Sequence, residues 1–217
     1  MSLTKSEVLA KIGTTGLVPV LRAPSEGHAL AVADAILLGG VDILEVTMTV
    51  PGAIPLIRHL RKLHPNLLVG AGTVLDPETA RICILEGAQF IVSPALNLET
   101  VATCLRHEIA VLPGALTPTE IVTAWQAGAD LIKVFPANSM GGAPYLKSLK
   151  APLPQVELIP TGGVSLANAR SFLEAGAFAL GIGADLANCD AITAGQAHTI
   201  TARAREYLHI IQDFRTA

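Results

Sequence analysis

Two ionisable residues stand in runs that otherwise read as buried strands. Lys133 lies within Leu131-Ile132-Lys133-Val134-Phe135-Pro136, and Glu45 within Ile43-Leu44-Glu45-Val46-Thr47. A buried ammonium is costly unless it is paired or neutralised. A neutral amine is also a nucleophile toward carbonyl carbon, so Lys133 points to covalent chemistry on a ketone or aldehyde. Side chains alternate along a strand, which sets Ile43, Glu45 and Thr47 on one face and Leu131, Lys133 and Phe135 on one face of the other run. If both faces point inward, the amine meets a carboxylate able to act as its acid/base partner. A purely structural ion pair is the plainer alternative, and the two readings are compatible.

Other candidates fall at the ends of similar runs. Arg22 ends the first, Thr73 follows Gly70-Ala71-Gly72, Thr161-Gly162-Gly163 ends the seventh, and Gly181-Ile182-Gly183-Ala184 covers the end of the eighth. The last two glycine-rich ends suggest a phosphate site at Gly162, Gly163, Gly183 and Ala184. Backbone N–H groups reach an anion where no side chain intervenes, and helix starts add further donors. Ordinary tight turns are the alternative. Phe135, on the face of Lys133, would wall a small substrate. No metal is expected: His28, His59, His64, His107, His198 and His209 fall on helical or loop segments without ligand spacing. Ser93 precedes Pro94 rather than a glycine turn, so it lacks a nucleophile-elbow context.

The elements that must position these residues alternate from end to end. Strands are predicted near Leu17–Arg22, Ile43–Thr47, Leu67–Thr73, Phe90–Pro94, Ala110–Gly114, Leu131–Pro136, Glu157–Thr161 and Ala179–Gly183, each leading to helix-like sequence. Such alternation implies a parallel sheet covered by helices, and eight units in a chain of this length imply an α/β fold of the (β/α)8 TIM-barrel type. No low-complexity linker interrupts it, so residues 1–217 are expected to form one barrel domain. Barrel active sites lie at the C-terminal ends of the strands, where the candidates fall. Helix starts are marked by Asp76-Pro77, by the capping box Thr117-Pro118-Thr119-Glu120, and by Asn97 and Ser165 as further caps. Gly39-Gly40, Gly87, Gly128 and Gly176 mark helix ends. Pro55 fits the first turn of a helix starting near Ala53. The first eleven or so residues, with Leu3, Val8 and Ile12, are expected to form an extra N-terminal helix under the barrel, and His198 to Arg215 a long closing helix.

Composition narrows the partners. Hydrophobic residues make up 51% of the 217 and charged residues 15%, with a net charge of -3. There is material for a large core and no concentrated basic face, which argues against nucleic-acid binding. The apolar runs are short and broken, which argues against a membrane span. Three cysteines without metal spacing suggest reduced thiols and a cytoplasmic protein, and no signal-peptide pattern is present. High apolar content with low charge hints at subunit contacts.

Taken together, Glu45-Val46-Thr47, Gly70-Ala71-Gly72-Thr73-Val74, Val92-Ser93-Pro94, Pro113-Gly114, Thr117-Pro118-Thr119-Glu120, Lys133-Val134-Phe135-Pro136-Ala137 and Pro160-Thr161-Gly162-Gly163-Val164 closely resemble the bacterial 2-keto-3-deoxy-6-phosphogluconate (KDPG) aldolases, which also cleave 2-keto-4-hydroxyglutarate (KHG). The resemblance covers nearly the whole chain. It implies a metal-free class I aldolase of (β/α)8 fold, usually a homotrimer, acting on a small 2-keto acid. It makes Lys133 the Schiff-base lysine, Glu45 the general acid/base and Thr73 a holder of the pyruvate carboxylate. Thr161 would line the substrate site, and Gly162, Gly163, Gly183 and Ala184 the phosphate cradle. Two departures stand out. Thr49 occupies the place of a carboxylate-binding arginine, and Arg22, on the neighbouring strand, is expected to supply the missing guanidinium. Ala184 stands where a serine is often found in the phosphate turn. An aldolase for the galactonate epimer or an unphosphorylated keto acid is the nearest alternative. A phosphosugar isomerase or epimerase using Glu45 alone, and a non-catalytic phosphate-binding barrel, are more remote.

Overall fold

The computed structural model describes residues 3–216. Nine short strands carry the fold: β1 (Leu17–Leu21), β2 (Ile43–Thr47), β3 (Leu68–Gly72), β4 (Phe90–Val92), β5 (Ala110–Leu112), β6 (Gly114–Ala115), β7 (Ile132–Val134), β8 (Leu158–Pro160) and β9 (Leu180–Ile182). They pair in parallel in the orders β5-β4-β3-β2-β1-β9 and β6-β7-β8. Two joints turn these into an eight-stranded ring. β5 and β6 are halves of one strand broken at Pro113, which cannot donate to a ladder but accepts at 3.0 Å from the Lys133 N–H. β8 meets β9 through a parallel bridge between Thr161 and Gly181. The predicted eight runs are thus found, most of them a residue or two shorter at their ends, and the fifth interrupted where the proline removes a donor.

Helices α1 (Lys5–Thr15), α2 (Glu26–Leu38), α3 (Ala53–Leu63), α4 (Pro77–Leu85), α5 (Leu98–Arg106), α6 (Pro118–Gln126), α7 (Ala143–Lys150), α8 (Ala169–Glu174), α9 (Cys189–Thr193) and α10 (Ala197–Thr216) surround the ring. Their starts follow local chemistry. Thr4 and Glu7 form a capping box on α1, as Thr117 and Glu120 do on α6, while Asp76 and Asn97 cap α4 and α5. Pro55 sits in the first turn of α3. Two expectations need correction. Leu3 precedes α1 and is exposed, because Thr4 starts the helix after it. Ser165 does not cap with its side chain. Asn168 takes that role in reverse, accepting from the Ser165 N–H at 2.8 Å and donating to the Gly163 carbonyl at 2.8 Å, which delays α8 to Ala169.

Two apolar layers hold the barrel. Inside the ring, Val18, Ile43, Leu68, Phe90, Leu112, Leu131, Ile159 and Ala179 form one cluster, closed from below by Val8 and Ile12 of α1. Outside it, the opposite faces of the strands pack against the helices in a larger cluster. Ile43 and Leu131 lie in the inner cluster, so the faces that carry Glu45 and Lys133 are the inward ones.

Candidate active site

Above that inner cluster, β2 and β7 bring their ionisable side chains together. Glu45 pairs in register with Val20 and Gly70, and Lys133 with Gly114 and Ile159. Lys133 Nζ lies 3.6 Å from Glu45 Oε1. Lys133 is 3% exposed and Glu45 2%, so the pair is cut off from bulk water. The separation is that of an ion pair rather than a hydrogen bond. Glu45 Oε1 has no hydrogen-bond partner among the described residues. A buried, incompletely satisfied carboxylate beside an amine suits proton transfer better than a structural bridge, because a buried bridge gains stability only when its remaining polar atoms are satisfied. The Lys133 amine also stands 5.2 Å from the Phe135 ring centre, two residues along the same face.

Gly72 explains how Glu45 fits. A Cβ at Gly72 would overlap the Glu45 carboxylate, so only glycine at the end of β3 leaves the side chain its place. The next residue, Thr73, has φ 58°, a left-handed conformation that a β-branched residue rarely adopts. Strain of this kind costs roughly 1–3 kcal/mol and gathers at ligand-binding positions. Thr47 is fully buried; its hydroxyl donates to the Leu21 carbonyl at 2.8 Å and lies 2.6 Å from the Thr49 hydroxyl. Thr49 itself is exposed, beside the end of β1.

On the β8–β9 side of the mouth lies a cavity of about 370 Å³, bordered by Arg22, Phe135, Thr161, Gly162, Gly163, Gly183 and Ala184, together with Asp185. Gly162 and Gly163 have φ 91° and 74°, positions open to glycine, which turn the chain back at the strand end. Among the described residues, the backbone N–H groups of Gly163, Gly183 and Ala184 find no acceptor. Free N–H groups of this kind suit an anion. Arg22 is exposed on the same cavity and forms no ion pair among the described residues. Its guanidinium reaches the Gly183 corner, where a Cβ would stand 3.1 Å from it. Arg22 therefore sits with the glycine turns, while Thr49 and Thr73 lie outside the cavity lining.

The structure thus brings Lys133, Glu45 and Phe135 into one group, and Arg22, Phe135, Thr161 and the four turn residues into another, with Phe135 common to both. Sequence reasoning missed Asp185, whose carboxylate in a suspected anion turn was itself a signal, and Gly72, whose role depends on a neighbouring strand. Among the described residues, no three His, Cys, Asp or Glu side chains gather as a metal site would require. Burial pushes the thiols of Cys83 and Cys104 up to about 11 and about 12, which leaves them protonated and inert.

Comparison with known proteins agrees with this fold. The family model described as KDPG and KHG aldolase matches residues 8–203. The KHG/KDPG aldolase of Escherichia coli (strain K12) is 38% identical over 194 residues, covering 89% of this chain and 91% of its own. A crystal structure of KDPG aldolase from Legionella pneumophila, with pyruvate captured at low pH as a covalent carbinolamine intermediate, superposes with a TM-score of 0.85 at 31% identity over 91% of this chain and 96% of that one. A native KDPGal structure superposes with a TM-score of 0.83 at 32% identity over 93% and 96%. With these motifs in family order on a matching barrel, the chain belongs to the KDPG and KHG aldolase family, and it is a carbon–carbon lyase.

Proposed function

We propose that this enzyme is a Schiff-base aldolase that cleaves 2-keto-3-deoxy-6-phosphogluconate to pyruvate and glyceraldehyde 3-phosphate, and 2-keto-4-hydroxyglutarate to pyruvate and glyoxylate. The observation that carries the reading is the buried Lys133–Glu45 pair, 3.6 Å apart at the barrel mouth. The covalent pyruvate carbinolamine of the Legionella relative supports it. Glu45 takes the proton of the paired Lys133 ammonium, the freed amine adds to the C2 ketone, and Glu45 passes that proton to the departing hydroxyl, so that loss of water leaves an iminium and a carboxylate. Glu45 removes the C4 hydroxyl proton, directly or through water. The C3–C4 bond then breaks, its electron pair flows into the iminium, and the aldehyde leaves. Glu45 returns the proton to C3 of the enamine, and hydrolysis frees pyruvate and Lys133. No step requires a metal.

Phe135 walls the pyruvate methyl, Thr73 and Thr161 border the substrate, and the turns at Gly162, Gly163, Gly183 and Ala184 take the phosphate through backbone N–H groups. Arg22 supplies the guanidinium that Thr49 lacks. The galactonate epimer is the second reading, favoured by the Thr49 and Ala184 departures and by the likeness to the KDPGal structure. Pyruvate release from the gluconate-derived acid, its galactonate epimer and 2-keto-4-hydroxyglutarate tests the choice. The gluconate-derived acid is expected to give the highest kcat/KM, and a higher value for the epimer would transfer the assignment to it.

We take residues 1–217 as one working barrel that assembles as a homotrimer. Exposed Leu75, Ile82 and Leu85, on and just before α4, offer apolar surface for subunit contact. Three free cysteines fit a reducing cytoplasm, and no helix among the described residues is long and apolar enough to cross a membrane.

A further inference from the structure

Asp185 is out of place beside an anion site. It follows Ala184 directly and borders the same cavity as Gly162, Gly163 and Gly183. A carboxylate there would oppose a phosphate monoester, which carries most of two negative charges at neutral pH. The structure shows where that charge is directed. Asp185 Oδ1 pairs with Arg203 Nη1 at 2.8 Å, and the same Nη1 donates to the Asp185 carbonyl at 2.8 Å. The Tyr207 hydroxyl donates to Oδ2. Both carboxylate oxygens and the carbonyl are thus occupied by α10, one helical turn apart at Arg203 and Tyr207. Leu186 and Ala187 close the turn by donating to the Gly183 carbonyl at 3.0 and 2.9 Å.

We infer that Arg203 and Tyr207 are positioning residues for the phosphate end of the substrate: they draw the Asp185 charge toward α10 and fix the turn whose free N–H groups meet the anion. This rests on the phosphate reading of that cavity. Tyr207 is fully buried, and burial, with Asp185 beside it, holds its hydroxyl above the ordinary tyrosine value, so it remains a donor. Arg203 is half exposed, and its loss would leave the barrel core intact. A staple that merely fastens α10 would affect every substrate alike. A charge-diverting clamp affects only the phosphorylated one.

Arg203→Gln and Arg203→Gln/Asp185→Asn separate these roles in the full-length enzyme, assayed on 2-keto-3-deoxy-6-phosphogluconate and on 2-keto-4-hydroxyglutarate, with inorganic phosphate as inhibitor. For Arg203→Gln we expect KM for the phosphorylated acid to rise about tenfold, with KM for the unphosphorylated acid within roughly twofold of wild type and kcat unchanged on both. Removing the Asp185 charge in the double variant is expected to restore KM for the phosphorylated acid to within roughly twofold of wild type. Equal losses on both substrates, no change in KM, or failure of the double variant to recover would overturn the clamp. A wild-type enzyme that inorganic phosphate does not inhibit would overturn the anion site, and the clamp with it. Inhibition of the wild type without a substrate split in Arg203→Gln would overturn the clamp alone.

Discussion

At the scale of single residues, the chemistry divides between Glu45 and Arg22 once Lys133 is set as the nucleophile. On the proposed mechanism Glu45 moves protons and does not form the covalent bond. Glu45→Gln keeps the shape and removes the base, so turnover should fall by roughly 10²- to 10⁴-fold while pyruvate still adds to Lys133. Steady-state rates and the mass of the trapped protein check both halves. Arg22 was expected at the carboxylate on the strength of Thr49. Its position against Gly183 makes the phosphate a competing target. For Arg22→Ala, an equal rise in KM on the phosphorylated and unphosphorylated acids assigns it to the carboxylate, a rise on the phosphorylated acid alone assigns it to the phosphate, and an unchanged KM on both removes it from the site. Lys133 and Glu45 were legible in sequence because a charge in an apolar strand is an energetic anomaly. The left-handed backbone of Thr73 and the space at Gly72 were not, since each is set by chain geometry and by a partner strand that no local pattern encodes.

At the scale of elements, the helix starts and stops were legible almost throughout, because a cap is a contact between residues three apart. Asp76, Asn97 and the Thr117–Glu120 box behave as expected, and Gly40, Gly87, Gly128 and Gly176 all adopt φ between 91° and 98°. The α8 start was misread because Asn168 and Ser165 are both capable of capping and only the chain path into Gly163 selects between them. The short α9 and the break at Pro113 were likewise unseen. The α6 cap carries a pH prediction. Backbone N–H groups of Leu116 and Thr117 hold the Glu120 carboxyl below its ordinary value of 4.5. A lowered folded-state value adds stability above the unfolded value and loses it as pH falls through the folded one. Glu120→Gln should therefore lower the melting temperature at neutral pH, by no more than about 1 kcal/mol in stability for so exposed a site. The gap between variant and wild type should close on acidification. A gap that persisted at low pH would assign the effect to packing.

At the scale of the whole molecule, the eightfold alternation of strands and helices made the barrel readable, and the barrel alone brings β2 and β7 across the ring to face each other. Assembly was not readable in this way, because an apolar residue on a helix exterior looks the same in sequence whether a helix, a strand or another subunit covers it. Ile82 and Leu85 lie on one face of α4 and are 46% and 68% exposed. Light scattering should give a particle of three times the 22.5 kDa chain, and Leu85→Asp should shift it toward the single chain. An unshifted trimer would move the interface elsewhere. The central claim is that Lys133 is the nucleophile, and borohydride reduction in the presence of pyruvate tests it most directly. The intact mass should rise by one reduced pyruvate, the modified peptide should contain Lys133, and Lys133→Met should abolish the gain. An unchanged wild-type mass, or a label on another lysine, would contradict the account.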